Sequence, residues 1–135
     1  MDMEKDRQES KLSPKKFSVI PGRDRIGTMM AKQEAFMQTL GIDFKNMPPA
    51  ERDKIIKECC LAAMVENVEL LNEVNWKSWK KTKKPLDVEA ARFEIIDDLC
   101  FLLEKAIILG MDSEMLFQYF LRKVEINEER QKNSY

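Results

Sequence analysis

The sequence predicts an all-α protein, a four-helix bundle that follows a flexible N-terminal arm. Three observations predict this class. Four segments after residue 25 have helix caps and helix breakers at their ends, and their apolar residues recur at helical spacing. The 135-residue chain also contains only four glycines, too few for a turn-rich β protein. We therefore divide the chain into an arm over residues 1–25 and one helical domain over residues 26–135.

The arm is predicted from its composition. About half of residues 1–25 are charged, both signs are mixed, and Pro14, Pro21 and Gly22 interrupt the segment. Such a segment cannot bury enough apolar surface to offset the entropy that ordering would cost. Residues 17–20 are the apolar exception, and they could dock on the domain as a short extended piece.

The first two helices are predicted from their end signals. Thr28 can cap a helix that runs to Leu40, just before a glycine stop. Pro49 suits the first turn of the second helix, which continues to about Asn75. Residues 76–86 then form a lysine-rich connection.

The last two helices follow acidic caps. The third begins after Asp87 and runs to about Leu109, and the fourth begins after Asp112 or Ser113 and runs to about Arg130. The second and third helices are apolar over most of their circumference, so they need cover on nearly all sides. Four helices of one small chain scarcely provide that cover, and we therefore expect a homo-oligomer.

Composition excludes several classes of function. Lys and Arg total 23 against 24 Asp and Glu, so the net charge of −1 gives no bulk attraction to nucleic acid or to an anionic membrane. The chain has no histidine, which excludes His-based triads and the usual catalytic zinc sites. Neither a membrane-spanning run nor a signal peptide is visible, and the three cysteines form no disulfide or metal-knuckle pattern. We expect a cytoplasmic protein with no nucleic-acid or membrane partner.

Acidic residues interrupt the apolar faces of the second and third helices. Glu66 and Glu69 lie three residues apart on a stripe that begins apolar, and Glu94 and Asp97 repeat this spacing on the third helix. If the two pairs face each other, they form a nest of four carboxylates. Oxygen ligands without histidine or thiolate suit Mg²⁺ or Mn²⁺. The alternative is that these acids are solvated or paired with Lys and Arg.

Hard metals held by carboxylates usually serve phosphate chemistry, and two groups of cations are available for it. Residues 76–84 (WKSWKKTKK) contain five lysines and two tryptophans, which offer stacking surfaces. On the fourth helix, Lys123, Asn127 and Arg130 share one stripe. The alternatives are a solvated loop and a polar outer helix face.

The acid pairs, Glu-x-x-Glu followed by Glu-x-x-Asp, resemble those of the all-α nucleoside triphosphate pyrophosphohydrolases, the MazG-like superfamily. The closest resemblance is to the dimeric all-α dUTPases. Three blocks are similar to theirs: residues 66–80 (ENVELLNEVNWKSWK), 94–101 (EIIDDLCF) and 123–135 (KVEINEERQKNSY). Gln33, in a MMAKQEAF-like helix, also fits. Cys100 departs from the pattern, because it stands where these dUTPases usually have histidine.

The resemblance implies hydrolysis of a deoxynucleoside triphosphate, most readily dUTP, to the monophosphate and pyrophosphate by a cytoplasmic homodimer. It implies more than one Mg²⁺ ion, with Mn²⁺ possible as a substitute, and Glu69 or Glu66 as the acceptor of the water's proton. The metal ligands it implies are Glu66, Glu69, Glu94 and Asp97. The substrate-binding residues it implies are Gln33, Trp76, Trp79, Lys80, Lys123, Asn127 and Arg130.

Two alternatives stay open at this point. One is a related pyrophosphohydrolase that acts on dCTP or dGTP, because Cys100 replaces the usual histidine. The other is a non-catalytic helical module whose lysine-rich segment binds a partner or nucleic acid. Metal-dependent release of pyrophosphate distinguishes the enzymes from the binding module.

Overall fold

A computed structural model describes residues 16–133 of the chain. This part forms four α-helices and no strand, which confirms the predicted all-α class. The helices are α1 (Arg25–Thr39), α2 (Pro49–Glu73), α3 (Val88–Ile108) and α4 (Ser113–Lys132). Residues 1–15 of the predicted arm lie outside the described residues, and the division into arm and domain stays a prediction.

The start of α1 differs from the prediction. The helix begins at Arg25, and its cap is Asp24, whose Oδ1 accepts a hydrogen bond of 2.7 Å from the Gly27 N–H. Thr28, the predicted cap, lies within the first turn, and its Oγ1 accepts from the Ile20 N–H at 3.0 Å. An aspartate carboxylate satisfies a first-turn donor as well as a threonine hydroxyl does, so the helix extends one turn further.

The other predicted boundaries agree closely with the structure. Pro49 is the first residue of α2, which ends at Glu73, two residues before the predicted end. Asp87 Oδ1 accepts from the Ala90 N–H at 3.0 Å and caps α3. Asp112 caps α4, with a bond of 2.8 Å. Aspartate caps therefore fix the starts of three of the four helices.

The apolar core lies at one end of the α2–α3 pair. These two helices form the most extensive contact, while α1 packs against α3 and α4 packs against α1. The buried core contains Met30 and Met37 of α1 and Leu103, Ile107 and Ile108 of α3. The first half of α2 packs against it through Ile55 and Ile56. The core thus occupies the N-terminal half of α2 and the C-terminal half of α3, and the acidic residues lie in the other halves.

Several large apolar side chains of α2 and α3 are not covered by the rest of the described chain. On α2 the exposed fractions are 63% for Met64 and 54% for Val68, and on α3 they are 55% for Ile95 and 51% for Ile96. Helices that are apolar around most of their circumference leave such faces when only one side is packed. Among the residues described, none of the helices has the length and hydropathy that crossing a bilayer requires.

Candidate active site

The acidic segments of α2 and α3 meet in the interior of the molecule. One carboxylate oxygen from each of Glu66, Glu94 and Asp97 lies within 4.8 Å of the others. Glu66 is only 3% exposed and Glu94 only 1% exposed. Three carboxylates in so small a volume repel one another, so this arrangement favours a bound cation.

Small residues let the two helices approach closely beside these acids. Ala63 precedes Glu66 by one turn of α2, and Ala90 and Ala91 precede Glu94 by one turn of α3. All three alanines are buried. A larger side chain at these positions would separate the helices and hold the carboxylates apart. These alanines were not predicted as part of the site, although their spacing of three or four residues from the acids is a signal visible in the sequence.

Glu69, the fourth predicted acid, lies at the border of the group. Its Oε2 is shielded from solvent, as are Oε2 of Glu66 and Oδ2 of Asp97. Glu69 does not belong to the close group of three described above. It lies one turn beyond Glu66 on the same face of α2, nearer to the end of the helix. Three of the four predicted ligands therefore converge, and the fourth is their neighbour.

Two cysteines, Cys59 on α2 and Cys100 on α3, have raised pKa values. Burial, together with the nearby Glu104 carboxylate, raises the pKa of the Cys59 thiol from 9.0 to about 12. Partial burial also raises the pKa of Cys100, which is otherwise exposed, and the negative charges of Asp97 and Glu104 act in the same direction. Burial is the largest cause at both thiols, and the nearby carboxylates add to it.

The chemistry of the donor set fits a hard divalent cation. Glu66, Glu94 and Asp97 supply oxygen atoms only, and no histidine occurs anywhere in the chain. Mg²⁺ and Mn²⁺ prefer carboxylate oxygens, and they usually bind through a few carboxylates together with water and phosphate oxygens. The arrangement can therefore hold such an ion and present it to a phosphate group.

The lysine-rich connection closes the same end of the bundle. It joins the end of α2 to the start of α3, and Lys84 Nζ lies 3.7 Å from Glu73 Oε2 at the end of α2. The rings of Trp76 and Trp79 meet edge to face, with their centroids 5.7 Å apart. The loop lines a cleft of about 570 Å³ together with the end of α2. Cationic and aromatic groups thus lie next to the acidic half of the bundle.

The remaining predicted site residues lie on α1 and α4. Gln33 is half-buried on α1. Lys123, Asn127 and Arg130 are exposed on α4, which packs against α1. The structure therefore brings together Glu66, Glu94 and Asp97, places the loop at the same end of the α2–α3 pair, and leaves the polar stripe of α4 on the surface.

Comparison with known proteins gives one match. A protein-family model described as dUTPase matches residues 26–115, which is two thirds of the 135-residue chain. Neither the curated proteins nor the solved structures contain a significant match. The matched segment includes both acid pairs and the lysine-rich loop, and it ends before the polar stripe of α4. Taken with the four helices and the buried carboxylates, this match shows that the chain belongs to the all-α dUTPase family.

Proposed function

We propose that this protein hydrolyses dUTP to dUMP and pyrophosphate with Mg²⁺ or Mn²⁺ as cofactor. The family supports dUTP hydrolysis in general terms. The observation that carries the metal dependence is the close group of buried Glu66, buried Glu94 and half-buried Asp97, in which one oxygen of each carboxylate lies within 4.8 Å of the others. Carboxylates gathered in this way require positive charge, and a triphosphate substrate requires it as well.

Glu66, Glu94 and Asp97 would hold the metal, and Glu69 would extend the ligand set towards the loop. When bound there, a divalent cation supplies charge that offsets the phosphate oxygens and lowers the pKa of a nearby water. The chain has no histidine to act as a base. Glu69, at the border of the close group, is the carboxylate we propose to accept the proton of the attacking water, with Glu66 as the alternative.

Lysine and arginine side chains would bind the phosphates. Lys80 lies in the cleft of the loop, next to the acidic half of the bundle. Lys123 and Arg130 are exposed on α4, at the surface of the described chain. Each can donate a charge-assisted hydrogen bond to a phosphate oxygen, and such bonds are the stronger ones in proteins.

The base would be bound by aromatic and amide side chains. Trp79 is 70% exposed and Trp76 is 44% exposed, so both offer a ring face for stacking. Gln33 and Asn127 each carry a donor and an acceptor that could match the edge of uracil. We further propose a homodimer, which the exposed apolar faces of α2 and α3 support. Action in the cytoplasm stays a prediction from the sequence.

One observation favours a second candidate substrate. Cys100, which replaces the histidine usual in the dimeric all-α dUTPases, has an exposed side chain and lies one turn after Asp97. A thiol at this position offers weaker hydrogen bonds than an imidazole does. A related pyrophosphohydrolase that acts on dCTP or dGTP is therefore the alternative.

A pyrophosphate-release screen tests the proposal. Purified protein is assayed with dUTP, the four common dNTPs and the ribonucleotides, each with Mg²⁺, Mn²⁺ or EDTA. We expect metal-dependent release that is fastest with dUTP and lost in the Asp97→Asn and Glu69→Gln variants. Preference for dCTP would support the alternative substrate. Absence of release from every nucleotide with either metal would refute the enzymatic proposal and favour a binding module.

A further inference from the structure

The side chain of Asn75 closes the lysine-rich loop. Its Nδ2 donates a hydrogen bond of 2.7 Å to the Lys84 carbonyl, and its Oδ1 accepts one of 3.0 Å from the Lys84 N–H. One amide thus satisfies both backbone groups of a residue nine positions further along the chain. The carboxamide of asparagine carries a donor and an acceptor on one planar group, as this arrangement requires.

The rest of the loop has only weak or local support. Lys80 N–H donates to the Lys77 carbonyl at 3.1 Å, and Lys83 Nζ donates to the same Lys77 carbonyl at 3.2 Å. Trp76 Nε1 donates to Asn72 Oδ1 at 3.3 Å, the long end of the usual range. The segment contains neither helix nor strand. The two hydrogen bonds between Asn75 and Lys84 join the two ends of the loop, and the longer Lys84–Glu73 ion pair of 3.7 Å adds to them.

The charge of the loop works against this closed shape. Five lysines lie between residues 77 and 84, and all of them belong to the lining of the cleft. Like charges so close together repel one another and favour an open segment. The loop needs a link between its ends to hold these cations around one cleft.

We propose that Asn75 is a positioning residue for substrate binding, which holds the loop in the shape in which Lys80 and its neighbours bind the phosphate chain. This inference rests on the proposed function. Asn75 is itself exposed, and its hydrogen bonds lie at the surface. Its loss should therefore leave the helices folded while it frees the loop, because α2 and α3 are held by their own contacts.

The first test measures the loop without any nucleotide. The chain contains two tryptophans, and both are in this loop, so their spectra report on it alone. The edge-to-face ring pair should give a tryptophan circular dichroism signal in the free protein. We expect Asn75→Ala and Asn75→Asp to lose most of this signal, because neither variant can donate to the Lys84 carbonyl. The matched control is Asn46→Ala, which removes an exposed loop asparagine bonded to Asp43 at 3.3 Å and should keep the signal.

The second test measures substrate binding. Asn75→Ala should raise KM for dUTP about tenfold and change kcat by less than about threefold, since lost phosphate contacts weaken ground and transition states alike. In a double-mutant cycle, Asn75→Ala should have little further effect in a Lys80→Ala background, because one acts through the other. Asn46→Ala should match the wild type.

The two tests separate the inference from the proposed function. A wild type without activity refutes the proposed function, and inorganic pyrophosphate then replaces dUTP, with tryptophan fluorescence as the readout of its binding. A wild-type tryptophan signal in Asn75→Ala would overturn the inference. Two other results would also overturn the inference. One is an altered tryptophan signal in Asn75→Ala together with ligand binding as tight as in Asn46→Ala. The other is full additivity of the effects of Asn75→Ala and Lys80→Ala on KM.

Discussion

Replacing Glu94 by glutamine should stabilise the metal-free protein. The Glu94 side chain is 1% exposed, and its carboxylate lies within 4.8 Å of those of Glu66 and Asp97. At an effective dielectric constant of about 20, two unit charges at this separation repel by about 3 kcal/mol. The variant also loses the interactions that the Glu94 carboxylate makes, so we expect a net gain of about 1–2 kcal/mol. That corresponds to a rise in Tm of about 4–8 °C for a domain of this size.

Divalent metal should reverse the order of stability. A ligand at one hundred times its Kd stabilises the folded state by about 2.7 kcal/mol. The wild type should gain this stabilisation from Mg²⁺, whereas Glu94→Gln, which has lost a charged ligand, should gain little. The variant is then the more stable protein in EDTA and the less stable one in saturating Mg²⁺. Thermal unfolding followed by far-ultraviolet circular dichroism measures both conditions.

Glu89→Gln is the matched control for this experiment. Glu89 lies on the same helix, is exposed, and pairs with Arg92 at 2.7 Å. Loss of an exposed pair costs at most about 1 kcal/mol, and the Mg²⁺-dependent shift should equal that of the wild type. If Glu94→Gln instead lost stability in EDTA and kept the full Mg²⁺-dependent shift, Glu94 would be a structural residue and the metal site would lie elsewhere.

Three further predictions concern α4, the oligomer and a buried thiol. Arg130→Ala should lower kcat/KM by about one to two orders of magnitude, and truncation after Ile126 should abolish turnover, while circular dichroism shows the helices intact. Light scattering at micromolar concentration should give a dimer, and a monomer would contradict the proposed interface. Folding raises the pKa of Cys59 from 9.0 to about 12. Iodoacetamide at pH 8 should therefore leave the Cys59 thiol unmodified until the protein unfolds. The contribution of this neutral thiol to the free energy of unfolding should be lost as the pH rises from 9 towards 12.

The sequence predicted the helices well because their ends carry strong local signals. An aspartate before Val88 and another before Ser113 cap helices as expected. The acid pairs were also predictable, since charged residues in an apolar run are costly unless something binds them. These features depend on residues close together in the chain, where spacing alone determines which groups share a face.

Two kinds of feature were not predictable in this way: the choice between two residues that both suit one position, and contacts between residues far apart in the chain. Asp24 and Thr28 both suit the cap of α1. Only the structure shows that Asp24 caps the helix and that Thr28 accepts a hydrogen bond from the Ile20 N–H. The link between Asn75 and Lys84 joins residues nine positions apart in an irregular segment. The two groups meet only when the loop closes, and no repeat of residue types in the sequence indicates such a contact.

The exposure of α4 links the proposed dimer to the proposed site. No residue of α4 is buried, although the helix is described over its whole length. Its apolar side chains include Phe120, 65% exposed, and Phe117, 45% exposed, one turn before it. The polar stripe with Asn127 and Arg130 lies beside this apolar stripe on the same helix. A second copy of the chain that covers the apolar stripe would hold α4, and with it the polar stripe, in one position. Activity per subunit should therefore fall when dilution separates the subunits.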